Sequence, residues 1–241
     1  MPQEHSAIDN AGSYFCVLSA KAGEGHLLYS TDVGLNCMKS KQTSKKIILV
    51  HKNSPELGQA WMNDFAFHSD VSVVDGDIFE QQCDAIVSPG NSFGFMDGGL
   101  DLIISKKLGW DIQKQLQAKI KSLPLGELLV GQALTISTAN EPKYVICAPT
   151  MRVPTSYNIS TSINAYLAMK AILLELANHN EIETVAIPGL CTGTGNMEPA
   201  IASKQMFAAY EEIILGTERE FPTFMDAQKF HFRLNPKKII N

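Results

Sequence analysis

The chain has 241 residues, with 20 Lys and Arg against 25 Asp and Glu, which gives a formal charge of −5. An apolar share of 45% beside 19% charged residues is a globular balance, so disorder is excluded as the main state. The mild acidity argues against an electrostatic grip on duplex nucleic acid or on an anionic membrane, because each needs a basic face.

No apolar run approaches the roughly 20 residues of a membrane-spanning helix; the best candidate, 165–177, is interrupted by Lys170 and Glu175. The opening MPQEHSAIDN has neither the basic head nor the apolar body of a secretory signal, and a cytoplasmic location is expected. Cys16, Cys37, Cys83, Cys147 and Cys191 show no C-x-x-C spacing, and the histidines are scattered. Neither a disulfide framework nor a structural metal is indicated, and no cofactor is expected.

In chain order, strand-like runs at 14–19 and 26–30 suggest a hairpin within an extension over residues 1–45. Residues 47–50 are an unbroken apolar run, as in a strand buried on both faces. Ser54 and Pro55 then supply an N-cap and a first-turn proline for a helix through about Phe67. Residues 71–74 and 85–87 read as further strands. Leu100, Ile103, Ile104 and Leu108 share one helical face, which Gly109 stops; Ile112, Leu116, Ile120 and Leu123 mark a second helix, closed by Pro124.

Residues 128–136 and 144–147 look like strands, and Ile163, Leu167, Ala171 and Leu174 like the face of a long helix. A last buried strand is expected at 184–187, and Pro199 opens a helix towards Leu215. The tail, 217–241, is polar and aromatic without evident period and is expected to pack as an appendage. This alternation predicts a three-layer α/β/α domain over 46–216 with a mixed, mostly parallel central sheet.

In open α/β sheets ligands sit beyond the carboxyl ends of the strands, so the loops there are the place to look for chemistry. The first is Asp75-Gly76-Asp77-Ile78, where a carboxylate can accept from an exocyclic amine or a ribose hydroxyl, or can simply cap a turn. The second runs from Ser88 to Asp101 and combines Gly90, Gly94, Gly98 and Gly99 with Asn91, Asp97, Phe93 and Phe95. Glycines let backbone amides approach a ligand, the following helix start favours an anion, and Asn91 offers the donor and acceptor that sugar hydroxyls require. Asp101 could also serve as a cap.

The third loop runs from Pro188 to Met197. Gly189, Gly193, Gly195, Thr192 and Thr194 between a strand and a helix start make a good diphosphate cradle. Its spacing is neither G-x-x-x-x-G-K-[ST] nor G-x-G-x-x-G, which disfavours a P-loop nucleotidase. Cys191 has no histidine near it in sequence and is assigned to packing and backbone contacts. Phe93, Phe95, Met96 and Met197 suit either a wall for a base or the core. Arg152, after the strand at 144–147, could reach a phosphate or be solvated.

Taken in order, these loops resemble the macrodomain family of ADP-ribose-binding modules over about residues 70–215. Gly76-Asp77-Ile78 matches that family's Gly-Asp-Ile, and Ser88-Pro89-Gly90-Asn91 keeps the last residue of its Asn-Ala-Ala-Asn. Asp97-Gly98-Gly99-Leu100-Asp101 keeps two glycines and the aspartate of its Gly-Gly-Gly-Val-Asp, and Cys191-Thr192-Gly193-Thr194-Gly195 stands at its phosphate loop. Ser88, Pro89-Gly90 and Asp97 depart from the pattern, marking a divergent branch.

The resemblance implies that Asp77 holds the adenine amine and that Ile78 adds a main-chain contact. Gly193, Thr194 and Gly195 would cradle the diphosphate and Asn91 and Asp101 would face the distal ribose, with Gly98, Gly99, Cys191, Thr192, Asn196 and Met197 as further ADP-ribose contacts. The implied partner is ADP-ribose or an ADP-ribosylated protein, and the implied reaction is hydrolysis of the protein linkage. Asp101 is the leading catalytic candidate, with Asn91 and Asp97 assisting. A helix N-terminus would lower the Asp101 pKa, suiting it to positioning water and stabilising a developing cation. The alternatives are a reader of ADP-ribose without turnover and, less favoured, a nucleotide methyltransferase, which would need glycines where His51-Lys52-Asn53 stands.

Overall fold

The computed structural model describes residues 45–154 and 159–238; the hairpin expected at 14–19 and 26–30 lies outside them. Six strands form one sheet: β1 (Lys46–His51), β2 (Val71–Asp75), β3 (Ala85–Ser88), β4 (Leu134–Ser137), β5 (Tyr144–Cys147) and β6 (Thr184–Pro188), in the order β2-β1-β6-β3-β5-β4. All neighbours pair parallel except β4, which runs antiparallel to β5 at the edge. The expected mixed, mostly parallel sheet is therefore present.

Strand side chains alternate between two cores, as the two-residue period of a strand requires. Ile47, Leu49, Val87, Val185 and Ile187 face one core, closed by α1 (Pro55–Asp64), α4 (Asn164–Ala177) and α5 (Pro199–Ile213). Val50, Ile86, Val145 and Ala186 face the other, closed by α2 (Gly99–Leu108) and α3 (Asp111–Ser122). The continuous apolar runs of β1, β3 and β6 follow from burial on both faces. This is the three-layer arrangement that the sequence predicted.

Three local expectations need correction. The first helix ends at Asp64, where Phe65 still donates to the Trp61 carbonyl, and Phe67 is exposed. The strand expected at 128–136 is confined to Leu134–Ser137; the preceding stretch turns at Gly131 (φ 97°), and Leu128 enters the core from a loop. The tail holds a helix, α6 (Phe224–Leu234), capped by Thr223 accepting from the Asp226 amide. Its inward residues, Phe230 and Leu234, are one helical turn apart and meet the larger core. Arg219 clamps it, donating to Glu212 at 2.7 Å and Glu211 at 2.9 Å with its guanidinium 4.5 Å above Phe230.

Candidate functional site

Because β2, β1, β6, β3 and β5 are mutually parallel, their carboxyl ends lie along one edge of the sheet. The register sets His51 beside Asp75, Val50 beside Pro188 and Ser88 beside Cys147. Strand order alone then arranges the three loops: the Asp77 loop at one end, the 189–198 loop in the middle, and the Asn91 and Asp101 loop beyond it. From β2 to β3 is three inter-strand steps, roughly 14 Å at about 4.8 Å per step.

At the β2 end, Asp77 caps the short turn Ile78–Glu80 by accepting from the Phe79 amide at 3.0 Å, and its other oxygen lies 3.3 Å from Lys52 Nζ. The amide bond and the lysine both favour the charged carboxylate and hold it below its usual range. Ile78 buries its side chain.

In the middle loop, Cys191 and Asn196 adopt left-handed backbone (φ 65° and 48°). Cys191 accepts the Met197 amide at 3.0 Å, and Gly193 accepts that of Asn196 at 3.0 Å. Among the described residues, no acceptor meets the amides of Thr192, Gly193, Thr194 and Gly195. The loop thus carries unpaired N–H groups just before α5, a feature that suits an anion. Cys191 is buried, as assigned, and burial pushes its thiol up to about 12. Met197 is sunk in the larger core, and its amide donates within the loop. Met96 is likewise core, Phe95 is exposed, and Phe93 lies under Arg152, which pairs with Glu127 at 2.7 Å.

The third loop is pinned to the segment after β5. Thr150 donates its amide to Gly90 at 3.2 Å and its hydroxyl to Pro89 at 3.1 Å, while Asn91 bridges to Met151. Asn91 folds its amide back on its own loop, giving one hydrogen to the Phe95 carbonyl at 2.8 Å and accepting from the Phe93 and Phe95 amides. Its side chain shapes the loop and keeps one amide hydrogen uncommitted among the described residues. Asp97, Gly98 and Gly99 are exposed, and Gly99 takes φ 54° as α2 begins.

Asp101 sits in the first turn of α2 yet is buried, and Ser88 donates to its Oδ1 at 2.6 Å. Here the expectation from the helix terminus is reversed. Desolvation outweighs the Ser88 hydroxyl, and the carboxyl is pushed up to about 6. Ser88, Gly90, Asn91, Asp101 and Cys147 line a small cavity of about 10 Å³, about the room of one water. Cys147 is held far above its usual range by burial and the neighbouring carboxylate. Asn91 and Asp101 thus share one cavity, whereas Asp77 and the 191–197 loop lie along the same sheet edge outside its lining. Sequence reasoning missed Ser88 as a site residue. The available signal was a polar residue closing the apolar run Ala85-Ile86-Val87 where the family motif has asparagine.

The Macro domain family model matches residues 87–206. An uncharacterized protein of Aquifex aeolicus is 35% identical over 57% of this chain and 78% of its own. A Macro domain-containing protein of Caldanaerobacter subterraneus subsp. tengcongensis is 30% identical over 65% of this chain and 89% of its own. The Oceanobacillus iheyensis macrodomain with ADP shares the fold with a TM-score of 0.50 at 18% identity, covering 68% of this chain and 90% of that one. The chain belongs to the Macro domain family.

Proposed function

We propose that this protein binds ADP-ribose along the carboxyl edge of its sheet and hydrolyses it from modified proteins, with Asp101 at the reacting end. The observation that carries this is the buried Asp101 carboxyl, held by Ser88 at 2.6 Å in a cavity it shares with Asn91. The unpaired amides of 192–195 suit the diphosphate, and Asp77 at the β2 end suits the adenine amine. The family membership and the ADP in the Oceanobacillus iheyensis structure support the same ligand class.

In hydrolysis, water attacks the anomeric carbon of the distal ribose as the bond to the protein breaks with its electron pair on the leaving group. Asp101 takes the water proton and returns one to that group. A carboxyl titrating at about 6 is a better base than an ordinary aspartate and is still ionised at neutral pH. Asp97, exposed at the start of α2, is the second carboxylate available to assist.

Calorimetric titration with ADP-ribose tests binding; no heat and no competition at high ligand would refute the whole proposal. Incubation with mono-ADP-ribosylated protein, wild type against Asp101→Asn, tests turnover. Binding without release would support a reader, which the commitment of the Asn91 side chain to its own loop favours.

A further inference from the structure

Two departures from the family motif converge on one carboxylate. Ser88, buried at the end of β3, holds Asp101 Oδ1. Gly90 lies against the other oxygen: a Cβ there would stand 2.7 Å from Asp101 Oδ2 and 3.6 Å from Ser88 Oγ. An added methyl would meet the far end of the Asp101 side chain, so the carboxylate would have to turn from this position. The carboxylate is tied through Oδ1, and the loop is tied on both sides of Gly90 by Thr150 and by the bridge from Asn91 to Met151. No hydrogen bond to Oδ2 from the described residues accompanies this contact, so Oδ2 is the acceptor left over.

We propose that Ser88 and Gly90 are paired positioning residues that present a single free oxygen of Asp101 to the reacting water, Ser88 by fixing Oδ1 and Gly90 by leaving room for Oδ2. This rests on the hydrolase reading for its catalytic consequence. The geometric part stands apart from it. An alanine at position 90, as in the family motif, would collide with a carboxylate in this orientation, and a serine at 88 reaches Oδ1 where the motif's asparagine stands.

The test uses the full chain and its Ser88→Ala and Gly90→Ala variants, all checked for folding by circular dichroism. Carbon NMR of the Asp101 carboxyl follows its titration directly, and release of ADP-ribose from modified protein gives kcat, KM and the pH profile. Removing the Ser88 donor destabilises the ionised form, so the Asp101 midpoint and the acidic limb of kcat should both move up by about one pH unit. kcat should fall about tenfold with KM nearly unchanged. Gly90→Ala should lower kcat comparably and displace the carboxyl resonance. A folded Ser88→Ala with the wild-type titration curve overturns the proposal, as does a Gly90→Ala with wild-type kcat and resonance. If the wild type releases nothing, the hydrolase reading fails, while the carboxyl titration still decides for or against the positioning by Ser88.

Discussion

Replacing Asp101 by asparagine separates its chemistry from its cost to the fold. Asparagine keeps the shape and can still accept from Ser88, but it carries no charge. In the wild type the carboxyl titrates at about 6 in the fold against 3.8 for an ordinary aspartate. A group whose pKa is raised by folding contributes stability that is fully present below the unfolded value and is lost as pH rises through the folded value. Two or so units at about 1.4 kcal/mol each make the ionised wild type roughly 3 kcal/mol less stable at pH 8 than at low pH on account of this one group. The advantage of Asp101→Asn should therefore grow from about half a kcal/mol near pH 4 to about 3 kcal/mol at pH 8. Other titrating groups cancel in the difference. Urea unfolding of both proteins at pH 4, 6 and 8 measures it, with equal m-values as the check that the denatured states match. ADP-ribose release should meanwhile fall by about a hundredfold or more. A stability difference that is flat with pH, or an asparagine variant less stable than wild type at pH 8, would refute the claim that desolvation governs Asp101.

Two glycines in one loop give opposite expectations. At Gly195 a Cβ would meet the Cys191 carbonyl at 2.5 Å and Ile159 Cγ1 at 2.8 Å, whereas at Gly193 nothing stands within 4 Å. Gly195→Ala should cost about 2 kcal/mol, or roughly 6 °C in Tm, and Gly193→Ala less than about 0.5 kcal/mol; equal thermal shifts would contradict this. Asp77→Ala removes a turn cap and should cost about 1 kcal/mol while lowering ADP-ribose affinity about tenfold by calorimetry. Arg219→Ala frees Glu211, Glu212 and Phe230 together and should cost about 1–2 kcal/mol. Faster proteolytic cleavage between residues 215 and 223, with the sheet intact by circular dichroism, would report release of α6.

Much of the architecture was legible because burial on both faces leaves an unmistakable mark. Ile47 to Val50 and Thr184 to Ile187 could be placed as central strands from apolar continuity, and Pro55, Gly109 and Pro199 bounded helices through backbone chemistry. The misreadings came where local pattern and tertiary use diverge. Leu128 is apolar for the sake of a core that it reaches from a turn, and so it lengthened a strand on paper. The helix at Phe224–Leu234 has only a narrow inward stripe, diluted by Phe224 and Met225 on its exposed side.

Residue types and their order along the chain already determined the layered fold, because hydrophobic periodicity is a local property; the strand order that sets the three loops along one edge is tertiary. Which polar atoms are paired and which are left open was decided by the tertiary structure alone. Asn91 holds its own loop while lining the cavity, and Asp101 was raised where a helix terminus would have lowered it. The reason is that desolvation and hydrogen-bond partnership depend on neighbours distant in sequence: the hydroxyl of Ser88, the absent side chain of Gly90 and the thiol of Cys147 surround one carboxylate only after β3 and β5 have paired.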